Sequence, residues 1–179
     1  MIVAEYSHIS RLLNRIAKTL VKRRLTLSIC ESCTGGMLGS MITNIPGSSK
    51  YFLGGIIAYS NEVKEKVVGI RAKDLRKHGA VSAEVAAAMA KGVQEKLKSD
   101  IGIGITGIAG PTGGSKNKPV GLVYIAIAIQ KKMSVGKYLF AGSRTMIRIE
   151  TCLKSLLLLK KILSVKNPLY LENLTIQDI

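Results

Sequence analysis

The segment Ile101–Gly107, "IGIGITG", alternates isoleucine with glycine. A repeat of two is the period of a β-strand, so one face is branched and apolar and the other is bare. The bare face admits close packing by a helix or by another backbone. Whatever covers this strand must therefore come unusually near it.

The flanking segments read as helices and strands in alternation. Ser7 is placed to cap a helix whose apolar stripe is Ile9, Leu12, Leu13, Ile16 and Leu20. Leu25–Cys30 reads as a buried strand, and Thr34-Gly35-Gly36 opens a second helix running to about Ile45, where Pro46-Gly47 stops it. Tyr51–Tyr59 reads as another strand. Ser82 caps a helix in which Val85, Met89, Val93 and Leu97 recur every four residues. Val120–Ile129 and Met133–Phe140 form a hairpin around Gln130-Lys131-Lys132. Arg144–Leu163 is a helix apolar almost all round, which predicts burial on more than one side and points to a subunit interface. The interleaving predicts an α/β fold, a layered α/β/α domain with a mixed β-sheet. Residues 1–165 are read as one domain and 166–179 as a C-terminal tail.

A chain of 179 residues suits a single core, and 47% hydrophobic with 21% charged residues describes a soluble globular protein. No apolar run reaches the roughly 18 residues of a membrane span. The N-terminal stretch "MIVAEYSHISRLLNRIAKTL" lacks the regions of a signal peptide, so a cytoplasmic location is expected. The net charge of +16 admits nucleic acid, an anionic membrane or small anionic substrates as partners. The basic residues are spread from Arg11 to Lys166, and two Phe, six Tyr and no Trp offer little surface for stacking on bases. A surface that attracts small anions is the favoured reading, with nucleic-acid binding as the alternative.

Three segments carry candidate chemistry. In "SICESCTGGMLGS", Cys30 and Cys33 have redox or metal spacing, but zinc needs about four ligands and only Cys152, His8 and His78 remain. The same stretch sets Ser32 at a strand end, with the backbone N–H groups of Cys33, Thr34, Gly35 and Gly36 at a helix start. It reads equally as a nucleophile with an anion cradle or as a plain N-cap. A Ser-His-Asp triad finds no support, and lysine is the known substitute base when burial lowers its pKa. In "AYSNEVKEKVVGI", Tyr59 ends a strand and Lys64 lies a turn later, inside what is otherwise a solvated charge run. In "GITGIAGPTGG", a glycine-rich loop follows a strand, either a ligand-approaching loop or a flexible turn.

Together, "ESCTGG", "PGSSKYFLGGIIAYSNEVKEKVVGI", "HGAVSAEVAAAMAKGV" and "GITGIAGPTGGSKNKPVGLVYIA" resemble the CinA C-terminal domain family, over about Leu12 to Leu163. The resemblance implies a nicotinamide-nucleotide amidohydrolase that converts nicotinamide mononucleotide to nicotinic acid mononucleotide and ammonia. It implies no metal and no cofactor, and a stand-alone version without the molybdopterin-binding-like domain of longer members. By the same resemblance, Ser32 is the catalytic serine, and Tyr59 and Lys64 lie near it. Glu31 and Thr34 flank the serine, Thr106, Gly107, Ala109 and Gly110 form the loop beside the site, and Arg144 is the arginine of the last helix. Ser143 stands where relatives carry Asp and Cys30 where they carry Ala, and the strong basicity is not a family trait.

A Ser-Lys acyl-enzyme route fits these residues, with Lys64 as base and Ser32 as nucleophile. The oxyanion would be held by N–H groups near Cys33, Thr34 or the Thr106–Gly110 loop, and Lys64 or Tyr59 would protonate the leaving ammonia. Arg144 or a helix N-terminus would take the phosphate. A homodimer or higher homo-oligomer is expected, with a nucleotide as the small-molecule partner and no membrane partner.

Overall fold

The computed structural model describes residues 2–164, with side chains from residue 9 onward. The expected tail 166–179 and the side chain of His8 lie outside the described residues.

The elements run α1 (Ile2–Arg23), β1 (Leu27–Glu31), α2 (Met37–Thr43), β2 (Phe52–Ile57) and a single turn α3 (Asn61–Val63). That turn continues as a π-helical turn, Lys64–Val68. Then come α4 (Ala72–His78), α5 (Ala83–Leu97), β3 (Ile101–Gly107), β4 (Leu122–Ile129), β5 (Lys132–Leu139) and α6 (Arg144–Ser164). The five strands form one mixed sheet in the order β2-β1-β3-β4-β5. β1 is parallel to β2 and β3, whereas β3–β4 and β4–β5 are antiparallel.

The layers follow from strand alternation. Leu27, Ile29, Ile101, Ile103, Ile105, Val123, Ile125 and Ile127 pack in one core with α1, α2 and α6. Each of these side chains contributes roughly 1.5–3 kcal/mol by leaving water. The opposite face packs on α5 through small residues: Ala86 and Ala90 meet Ala126 and Ala128 of β4. A Cβ at Gly102 would collide with the Ala90 carbonyl, and one at Gly104 with the Ala86 carbonyl. The bare face of "IGIGITG" is therefore the seat of a helix backbone.

The connection leaving β1 runs through α2 on one face, and the connection leaving β2 runs to α5 on the other. A crevice opens at their carboxyl ends, where α/β sheets place ligands. Ser32, Tyr59 and Thr106 follow or end β1, β2 and β3 at that edge.

Some boundaries differ from the sequence reading. α1 begins before Ser7, so Ser7 lies inside the helix rather than at its cap. The second helix begins at Met37, not Thr34, because Gly35 and Gly36 adopt φ of 58° and 91°, which no helix accepts. Ser82 does cap α5, its side chain accepting from the Val85 N–H. α6 is buried along most of its length, but Met146 and Leu157 are 44% and 40% exposed.

Candidate active site

Ser32 stands one residue beyond β1, its N–H donating to the Ile105 carbonyl at 3.0 Å. That bond anchors it to the end of β3. Lys64 opens the π-helical turn, an irregularity frequent at functional sites. Its side chain runs inward and is only 1% exposed. Nζ reaches Ser32 Oγ at 3.1 Å, the Ala58 carbonyl at 2.7 Å and the Tyr59 carbonyl at 3.3 Å. Among the described residues no carboxylate forms an ion pair with it. Burial holds its pKa below the ordinary 10.5, opposed only by the nearby thiols of Cys30 and Cys33.

The hydrogen-bond inventory defines what this amine does. An ammonium donates three bonds, one to each of the three oxygens. A neutral amine keeps two N–H groups for the carbonyls of Ala58 and Tyr59 and turns its lone pair to the Ser32 hydroxyl, which then donates. The backbone carbonyls thus orient the lone pair at the serine.

A cavity of about 320 Å³ opens over this pair. Of the residues singled out from sequence, Ser32, Cys33, Tyr59, Lys64, Thr106, Gly107, Ala109, Gly110 and Arg144 line it together. Arg144 donates to the Gly110 carbonyl at 2.7 Å and to the Tyr59 hydroxyl at 3.0 Å, joining the glycine-rich loop to the end of β2. No aspartate or glutamate is among the lining residues, so the cavity suits an anion.

Glu31, Thr34, Gly35 and Gly36 do not line the cavity. Glu31 is 1% exposed, and its carboxylate accepts from the N–H groups of Gly36, Leu38 and Gly39 at 3.0, 3.2 and 2.9 Å. It neutralises the start of α2 from within. The Gly35 N–H is taken by the Ser32 carbonyl. Of the four residues whose N–H groups were expected to face a ligand, Cys33 alone lines the cavity. The Thr34 carbonyl is gripped by Arg148, through Nε at 3.2 Å and Nη2 at 2.7 Å.

The two cysteines of the Cys-x-x-Cys spacing part ways. Cys30 packs with Val85, Met89 and Val93 of α5, and Cys33 packs in the core beneath α1 and α6. Burial pushes the Cys30 thiol up to about 12 and the Cys33 thiol up to about 11, so neither is a thiolate near neutrality. Both are free thiols. Among the described residues no group of three His, Cys, Asp or Glu is arranged to hold a metal ion.

Asn61, Ala80 and Val81 also line the cavity without having been singled out from sequence, as do Ile108, Thr112 and Gly113 of the glycine-rich loop. Sequence reasoning also missed Arg148, whose contact with Thr34 spans 114 residues of sequence.

Residues 9–163 match the CinA C-terminal domain. The chain belongs to the CinA C-terminal domain family. A relative from Moorella thermoacetica is 55% identical over 140 residues, 78% of this chain and 34% of that protein. A CinA-like protein of Thermosynechococcus vestitus is 51% identical over 130 residues, 72% of this chain and 31% of that one. The chain spans about a third of the length of the curated relatives it matches. The crystal structure of the competence/damage inducible protein CihA from Agrobacterium tumefaciens superposes with a TM-score of 0.84 at 35% identity. That likeness covers 86% of this chain and 94% of the CihA chain, so the mixed-sheet α/β fold is a CinA fold. No described helix is long and apolar enough to cross a membrane.

Proposed function

We propose that this chain is a nicotinamide-nucleotide amidohydrolase using Ser32 as nucleophile and Lys64 as general base. The observation that carries the reading is a buried lysine, without a carboxylate partner among the described residues, 3.1 Å from the hydroxyl of Ser32 at the floor of an anion-suited cavity.

The chemistry runs in two halves. Neutral Lys64 takes the Oγ proton as Ser32 bonds to the carboxamide carbon, and the carbonyl oxygen becomes an oxyanion held by the N–H group of Cys33, which lines the cavity beside Ser32. The Lys64 ammonium, steadied by the Ala58 and Tyr59 carbonyls, gives its proton to the departing nitrogen. The C–N bond breaks and ammonia leaves an ester on Ser32. Lys64 then takes a proton from water, hydroxide attacks the ester, and the proton returns to Oγ as the acid departs. Amide plus water becomes acid plus ammonia. Arg144, already braced by Gly110 and Tyr59 at the cavity mouth, is the residue for the phosphate.

The test is ammonia release from nicotinamide mononucleotide by the purified chain. Ser32→Ala is expected to lower kcat by at least about a thousandfold. Wild-type turnover in that variant would sink the nucleophile assignment. Dialysis against a chelator is expected to leave the wild-type rate unchanged, and a loss restored by added metal would refute the two-residue mechanism.

A further inference from the structure

One wall of the cavity is the turn between α4 and α5, which lines it with Ala80 and Val81. Its four consecutive carbonyls all accept from side chains. His78 O and Val81 O accept from Lys118 Nζ at 2.8 and 2.7 Å. Gly79 O accepts from Ser82 Oγ at 3.1 Å, and Ala80 O from Thr106 Oγ1 at 2.7 Å. The first and last of these bonds come from one ammonium, which reaches across 40 residues of sequence to His78. Among the described residues Lys118 forms no ion pair with a carboxylate, so its charge is spent on backbone carbonyls.

Lys118 is itself held in place. The Ser115 N–H donates to the Lys118 carbonyl at 2.8 Å, and the Lys118 N–H donates to the Ser115 carbonyl and hydroxyl, both at 3.2 Å. This small turn belongs to the same glycine-rich loop that lines the cavity with Thr112 and Gly113. From the other side, Gly79 has φ of 74°, and a Cβ there would lie 2.9 Å from Lys118 Nζ. Glycine therefore serves the turn twice, by its conformation and by leaving room for the ammonium.

We propose that Lys118 is a positioning residue of the cavity: its ammonium ties the His78–Val81 turn to the glycine-rich loop, and substrate binding depends on that tie. The Ser32–Lys64 pair rests on other elements, so the tie governs binding more than the chemical step. The kinetic consequence rests on the amidohydrolase reading, whereas the ordering of the turn does not.

The experiment compares wild type with Lys118→Met, Gly79→Ala and the control Lys116→Met, which removes an exposed charge from the same loop. Two readouts are taken: KM and kcat for nicotinamide mononucleotide, and hydrogen exchange at the amides of Gly79, Val85 and Ala86, which are hydrogen-bonded at the two ends of the turn. Lys118→Met and Gly79→Ala are expected to raise KM about tenfold, the worth of one charge-assisted hydrogen bond, with kcat little changed. Both should speed exchange at those three amides while amides of β3 keep their protection. Lys116→Met should change neither readout. Unchanged exchange in Lys118→Met, or a fall in kcat with KM unmoved, would overturn the proposal. If the wild type releases no ammonia, the amidohydrolase reading fails, and the exchange measurement alone decides whether Lys118 orders the wall.

Discussion

Lys64 is an amine in the interior with no carboxylate paired to it among the described residues, and that arrangement costs stability whenever the amine is protonated. The sign follows from linkage. Its folded pKa lies below the ordinary 10.5, so between the two values the unfolded chain binds a proton that the folded chain does not. Stability therefore rises with pH through that window and is lowest below the folded value. Lys64→Met keeps the volume and removes the proton. Its melting temperature relative to wild type is expected to be highest at low pH and to decline as pH approaches 10.5. A difference that stays constant between about pH 6 and pH 10 would mean that burial does not depress this amine. If Lys64 is the base of the proposed amidohydrolase, the same ionisation is expected to set the acid limb of kcat/KM, with rate rising as Lys64 loses its proton. An acid limb produced by Lys64 vanishes in the residual activity of Lys64→Met, so persistence of the limb would assign it to another group.

At the scale of elements, the glycines of β3 do the positioning. They let Ala86 and Ala90 bring α5 against the sheet, and this sets the α4–α5 turn beside Thr106. Gly104→Ala places a methyl group into the Ala86 carbonyl and within 2.9 Å of Met89 Cβ. Both are rigid parts of α5, so the variant is expected to lose about 2–3 kcal/mol in urea denaturation. A loss below about 0.5 kcal/mol would show that α5 can back away from the sheet without penalty. This element is readable in advance because its signal is local: a period of two, with Gly102 and Gly104 between isoleucines. The Ser82 cap and the β4–β5 hairpin were readable for the same reason. The start of α2 was misplaced because the positive φ of Gly35 and Gly36, held by the Glu31 carboxylate accepting from the Gly36 and Gly39 N–H groups, leaves no local trace in the sequence. The π-helical turn at Lys64 reads as part of a solvated charge run, since only the fold reveals that this lysine points inward, and the helix α4 was not read from the sequence. Arg148 and Lys118 carry no local signal at all, their partners being 114 and 40 residues away.

The whole molecule carries a net charge of +16, and its cavity is lined by Lys64 and Arg144 without a carboxylate. A charge of this size raises the local concentration of an anionic substrate before any contact forms. Screening acts on that approach, because the Debye length falls from about 10 Å at 0.1 M salt to about 3 Å at 1 M. It acts far less on the proposed proton transfer between Ser32 and Lys64, which are 8% and 1% exposed. Raising salt is therefore expected to lower kcat/KM for the mononucleotide severalfold while leaving kcat within about twofold. A neutral amide of similar shape should show no such fall, which separates substrate steering from a general effect of salt on the protein. If kcat/KM is flat with salt while the chain shifts DNA or RNA in a salt-dependent gel assay, the surface charge serves nucleic acid instead. The serine and lysine would then be an anion-suited site beneath a charge that has other work.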